Sequence, residues 1–139
     1  AYYDIEGVKT YSGGTETTAF NINAIHALEA AGLEIGGSED LNPVYQVNYS
    51  NDRSPLQCFS KKFDHPDNPT SGFVAVMTCS DADENCPVVP GAEARFSITY
   101  SDPKESDGTG AEAEIYAERS AQIALEMLFL MSWVKKSIL

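Results

Sequence analysis

Hydrophobic and polar positions change period several times along this chain. Val8 to Ser12 reads as a short strand closed by Gly13-Gly14. Ile22, Ile25 and Leu28 then recur at helical spacing. Asn21 or Asn23 can cap that helix, because a short amide oxygen can accept from the free N–H groups of the first turn. Gly32 can end it, because glycine enters the left-handed conformation without penalty. From Val44 to Tyr49 the period drops to two. Tyr45, Val47 and Tyr49 share one face and Gln46 and Asn48 the other, which predicts a half-exposed edge strand. Ser50 to Ser71 is rich in Pro, Asn, Asp and Ser and reads as loop, with a helical turn at Cys58 to Phe63. Phe73 to Cys79 is apolar on both faces, as expected of a parallel strand covered on both sides. Phe96, Ile98 and Tyr100 alternate again.

The last element is a long helix. Thr109 and Glu112 have the spacing of a capping box, and the helix extends to about Lys135. Its first half is charged. Its second half, Ile123 to Val134, is apolar nearly all round, which favours a core helix over a subunit interface. Alternating strands and helices predict an α/β fold with a mainly parallel sheet and flanking helices. With no repeats or linkers, residues 1–139 read as one domain.

Charge narrows the partners. The formal net charge is −12, from 21 acidic and 9 basic residues. Nucleic acid and anionic membranes are excluded as partners, since phosphates need a basic footprint. The apolar stretch Leu125 to Val134 is broken by Glu126 and Ser132 and falls short of the ~18 residues of a membrane span. No basic segment followed by an apolar one opens the chain, so a cytoplasmic location is expected. An oxyanion substrate would meet a repulsive field. The three arginines, Arg53, Arg95 and Arg119, lie outside any glycine-rich loop.

The candidate chemistry lies in Thr78-Cys79-Ser80-Asp81-Ala82-Asp83-Glu84-Asn85-Cys86-Pro87. Two thiols at the carboxyl edge of a buried strand suggest a transient redox pair; plain buried thiols are the alternative. Cys58 is a bystander. Three cysteines are too few for a secreted disulfide framework. The spacing is wrong for zinc, with only His26 and His65 to help. Asp81-x-Asp83-x-Asn85 opens like a calcium loop but has Cys86 and Ala92 where glycine and glutamate are required. No metal or other cofactor is expected. Ser101-Asp102-Pro103 with Asp107-Gly108 reads as turn chemistry.

The segment Thr78 to Pro90 closely resembles the redox loop of thioredoxin-coupled arsenate reductases, which share the low-molecular-weight protein tyrosine phosphatase fold. Tyr11-Ser12-Gly13-Gly14-Thr15-Glu16 looks like that family's Ser-Ala-Gly turn. Asn21-Ile22-Asn23-Ala24-Ile25 looks like its Asn-Pro-x-Ala-Ile helix start, with Ile22 in place of proline. Tyr100-Ser101-Asp102-Pro103 resembles its Asp-Pro segment. The resemblance covers nearly the whole chain apart from an insertion around Leu41 to Ser71. It implies catalytic roles for Cys79, Cys86 and Asp102. Cys79 attacks the sulfur of an N-terminal nucleophilic cysteine and releases arsenite. Cys86 then attacks Cys79, and a thioredoxin-like partner reduces the disulfide. Asp102 would be the general acid in the phosphatase version.

One part of the family pattern is missing: the loop reading Cys, five residues, Arg, then Ser or Thr. Six positions after Cys58 stands Asp64, after Cys79 Asn85, after Cys86 Ala92. Ala1-Tyr2-Tyr3 resembles the tail of the family's first helix. The expectation is a domain truncated at its N-terminus, lacking an interior strand between Val8–Ser12 and Val74–Cys79. Such a chain should be inactive alone and either homo-oligomeric or rearranged, binding arsenate or a phosphate ester only if the loop is supplied. Two other readings stand beside this one: a fragment of a phosphatase of the same fold, and a non-catalytic binding or assembly protein. The double-cysteine loop argues against the former, and the absent nucleophile and apolar last helix favour the latter.

Overall fold

The computed structural model describes residues 2–78 and 88–138. They form helices α1 (Ile22–Ala30) and α2 (Glu112–Ser137). The strands are β1 (Glu34–Gly36), β2 (Tyr45–Asn48), β3 (Leu56–Cys58), β4 (Phe73–Met77) and β5 (Ala92–Ser97). The α/β class holds. The expected mainly parallel sheet is not what the described residues form: β1-β2-β3 is an antiparallel sheet, and only β4 and β5 run parallel. Connection length accounts for this. The β1–β2 and β2–β3 links contain no crossover helix, so those strands return antiparallel; a parallel partner needs a long crossover, which residues 78–91 supply between β4 and β5.

Local chemistry sets the ends of α1. Asn21 caps it, its Oδ1 accepting from the Asn23 N–H at 2.8 Å. At the other end Gly32 has φ +94°. There the Gly32 N–H donates to the Glu29 carbonyl at 2.9 Å and the Leu33 N–H to the Leu28 carbonyl at 3.2 Å. This is the paired closure that a left-handed residue allows. At the start of α2 the capping box is displaced by one position. Thr109 Oγ1 accepts from the Ala111 N–H at 3.3 Å, and Glu112 Oε2 reaches back to the Gly108 N–H at 2.7 Å.

Several expectations are corrected. Val8–Ser12 is not a strand, and Val8 and Tyr11 are exposed. No strand lies beside it among the described residues, so its backbone has no ladder to join. The chain is instead held at Gly14, whose N–H donates to Lys61 and whose carbonyl accepts from Phe63, both at 2.9 Å. Close approach requires glycine next door, because a Cβ on Gly13 would lie 2.5 Å from Phe63 Cα. The helical turn expected at Cys58–Phe63 is absent; Leu56–Cys58 is β3, paired with Tyr45–Val47. That pairing makes β2 the central strand of its sheet, not an edge. Its alternation holds from Tyr45 to Asn48, with Val47 buried and Gln46 and Asn48 exposed, whereas Tyr49, read onto the inward face, lies beyond the strand and is exposed. β4 is covered on one face only. Val74 and Val76 are exposed, with Phe96 of β5 beside Val76.

Among the described residues the buried apolar side chains are few: Ile25 and Ala27 of α1, Pro43, Val47, Met77, and Tyr116 of α2. The two helices pack against each other. The second half of α2, read as core, is largely open to solvent.

Candidate functional site

The carboxyl ends of β4 and β5 form one edge. The parallel ladder continues past both strands: the Ile98 N–H donates to the Met77 carbonyl, and the Tyr100 N–H to the Thr78 carbonyl, each at 2.9 Å. Thr78 is thereby fixed as the base from which the thiol segment leaves. Cys79 and Cys86 themselves lie outside the described residues. Asp102 follows two residues after Tyr100, so the Asp-Pro segment departs from the same edge. Loops at the carboxyl ends of parallel strands are where open α/β sheets carry their chemistry.

Asp102 caps the short 3-10 helix Pro103–Ser106, its Oδ1 accepting from the Lys104 N–H at 2.9 Å. Pro103 suits the first position of that turn, since its fixed φ costs nothing there and it has no N–H to satisfy. The turn reading of this stretch therefore describes its local structure. On α2, Glu126 accepts from the Tyr100 hydroxyl at 2.7 Å. Burial first, then this bond, pushes the Tyr100 phenol up to about 12. The same bond, with help from Gln122, holds the Glu126 carboxyl below its ordinary value. Arg119 lies over the Tyr100 ring, 5.9 Å from its centroid.

Behind this edge is a polar hub that the sequence did not reveal. Asp107 Oδ1 accepts from the Tyr116 hydroxyl at 2.8 Å and from Asn23 Nδ2 at 3.1 Å, and its Oδ2 from Asn21 Nδ2 at 3.2 Å. The Tyr116 bond is the largest influence holding this carboxyl below its usual range, with Asn23 and Asn21 adding to it. Tyr116 is pushed well above the ordinary phenol value, chiefly by burial and then by Asp107. The hub ties the start of α1 to the start of α2 and orients the segment that carries Asp102. Asn21 was legible only as a cap, and Asp107-Gly108 only as a turn.

The Ser12–Gly14 turn has its own surroundings. Asn68 Nδ2 donates to the Ser12 carbonyl at 3.1 Å. Lys61 is buried, its Nζ 3.5 Å from Ser12 Oγ and 4.7 Å from the Phe59 ring centroid. Burial raises the Cys58 thiol, against an opposing pull from Lys61. A thiol held protonated is a poor nucleophile. Of the arginines, Arg53 pairs with Asp4 at 3.3 Å and Arg119 bonds Gln122. Among the described residues no group of three or more His, Cys, Asp or Glu is arranged to hold a metal ion, and no helix is long and apolar enough to cross a membrane.

Two curated proteins are similar to this chain. An arsenate reductase of Bacillus licheniformis is 26% identical over 109 residues, covering 78% of this chain and 63% of the relative. An arsenate reductase of Shouchella clausii is 24% identical over 111 residues, covering 80% of this chain and 65% of the relative. The chain thus spans just under two-thirds of the length of these relatives. The matches support a distant relationship with arsenate reductases. No family model matches the chain, and no solved structure does.

Proposed function

We propose that this chain carries the thiol relay of an arsenate reductase-like protein, with Cys79 and Cys86 as the exchanging pair. The observation that carries the reading is the double-cysteine segment at the carboxyl end of β4, in a chain whose curated relatives are arsenate reductases. In the relay, two electrons leave two thiols. The sulfurs join as a disulfide, arsenate falls to arsenite, and the oxygen leaves as water. A thioredoxin-like dithiol then returns the pair to thiols by exchange, becoming a disulfide itself. The acidic neighbours Asp81, Asp83 and Glu84 raise thiol pKa values rather than lower them, so activation falls to other groups. The nucleophile that first meets the oxyanion is not among these residues, because no Cys-x5-Arg sequence occurs in them. The reading therefore concerns the relay and not the complete reaction.

The same reading accounts for the open side of β4–β5. In the resembled family another strand lies against the segment matching β4, and such a strand would bring backbone partners to the bare edge and help cover Val74 and Val76. The non-catalytic assembly reading keeps one observation in its favour, the exposed apolar half of α2.

The test is disulfide chemistry. The chain is treated with a mild oxidant, digested and mapped by mass spectrometry, then incubated with reduced thioredoxin. A Cys79–Cys86 bond that thioredoxin removes, and that neither Cys79→Ser nor Cys86→Ser can form, is the expected result. Failure of the pair to oxidise, or indifference of the oxidised chain to thioredoxin, would refute the relay.

A further inference from the structure

α2 presents one largely exposed face that is complementary to itself. Taking 100° per residue, Glu114, Glu118, Ala121, Leu125, Phe129, Ser132 and Lys136 fall within a narrow sector, and all but the half-buried Ser132 are exposed. The face is acidic at its start, apolar in the middle and basic at its end. Leu125 and Phe129 are 68% and 66% exposed, values far from those of a core helix. Trp133 borders the face at 57% exposure, edge-on to Phe129 with ring centroids 6.4 Å apart.

Position along the face matters as much as composition. Glu114 stands as far before Leu125 as Lys136 stands after it. Ala121 and Phe129 are likewise equidistant from Leu125. A two-fold axis through Leu125, relating antiparallel helices, therefore sets Glu114 of each copy against Lys136 of the other. It also lays each Phe129 over the small Ala121, and brings the two Leu125 side chains together. Large meets small, acid meets base, and the helix dipoles oppose. An interface using one patch twice is what a closed dimer requires.

We infer that the exposed face of α2 is a homodimer interface, formed by antiparallel pairing with a second copy of this chain across a two-fold axis at Leu125. The inference is independent of the relay chemistry.

Sedimentation equilibrium or light scattering of the purified chain tests it, with circular dichroism to verify that each variant is folded. The wild type is expected to be a dimer at micromolar concentration. Leu125→Glu is expected to be monomeric, and its side chain is too exposed for the change to unfold the chain. Glu114→Lys and Lys136→Glu should each weaken dimerisation at least tenfold. Mixed together they should form a heterodimer, because both cross-pairs regain opposite charges. A monomeric wild type would overturn the proposal. So would an oligomer unaffected by Leu125→Glu, or charge variants whose mixture associates no better than either alone.

Discussion

Asp107 shows how much one short side chain organises. Its two oxygens accept from Tyr116, Asn23 and Asn21, joining the beginnings of both helices. These bonds favour the charged form, so the carboxyl is held below its unfolded value of about 3.8. A depressed folded value means the ionised group stabilises the fold at higher pH, and this contribution fades as pH falls through the folded value. Asp107→Asn is therefore expected to be less stable than wild type at neutral pH, with the gap narrowing as pH drops from about 5 to about 2. Urea unfolding across that range checks it; a constant gap would deny the carboxylate this role. Asp102, by contrast, is engaged locally as the cap of the turn that leads to Asp107.

At the scale of elements, turns and strand pairings did what side-chain pattern alone could not. β4 and β5 depend on Gly91, which has φ +83° and whose added Cβ would lie 1.9 Å from the Thr70 carbonyl oxygen. Gly91→Ala is expected to cost about 1–3 kcal/mol from backbone strain, with the clash adding to it. Gly110→Ala is the control, because nothing lies within 4 Å of its Cβ. Chemical denaturation of both variants, with equal midpoints, would contradict the packing described for the Thr70–Gly91 approach. α2 repays the same attention. Its periodicity announced a helix with a wide apolar surface, but not whether that surface would meet a sheet, and the structure leaves it open.

For the whole molecule, sparse burial among the described residues accompanies a sequence without a Cys-x5-Arg motif. So few buried apolar residues make a thin core among the described residues. The parallel pair β4–β5 has no third strand among the described residues. The same 139 residues contain no Cys-x5-Arg loop with which to bind and attack an oxyanion. They are expected to show neither arsenate reduction with thioredoxin nor hydrolysis of an aryl phosphate when assayed alone. Robust turnover in either assay would mean that another group takes the nucleophile's place.

The sequence by itself determined what depends on neighbours along the chain. Asn21 and Gly32 bound α1 because capping needs only the adjacent N–H and C=O groups. Alternation marked the faces of β2, and the Phe73–Met77 run marked β4. The thiol segment and Asp-Pro stretch were legible as motifs, and the curated relatives support the coarser part of the resemblance, a distant relationship with arsenate reductases. Tertiary structure decided what depends on partners distant in sequence. β3 formed inside a stretch read as loop, because β2 offered it a ladder, and the turn expected at Cys58–Phe63 gave way to the Gly14–Lys62 bridge; Val8–Ser12 had no such partner and stayed irregular. Asp107 became a hub only when α1 and α2 met. Whether an apolar face is core or interface follows from what covers it, and no local pattern holds that information.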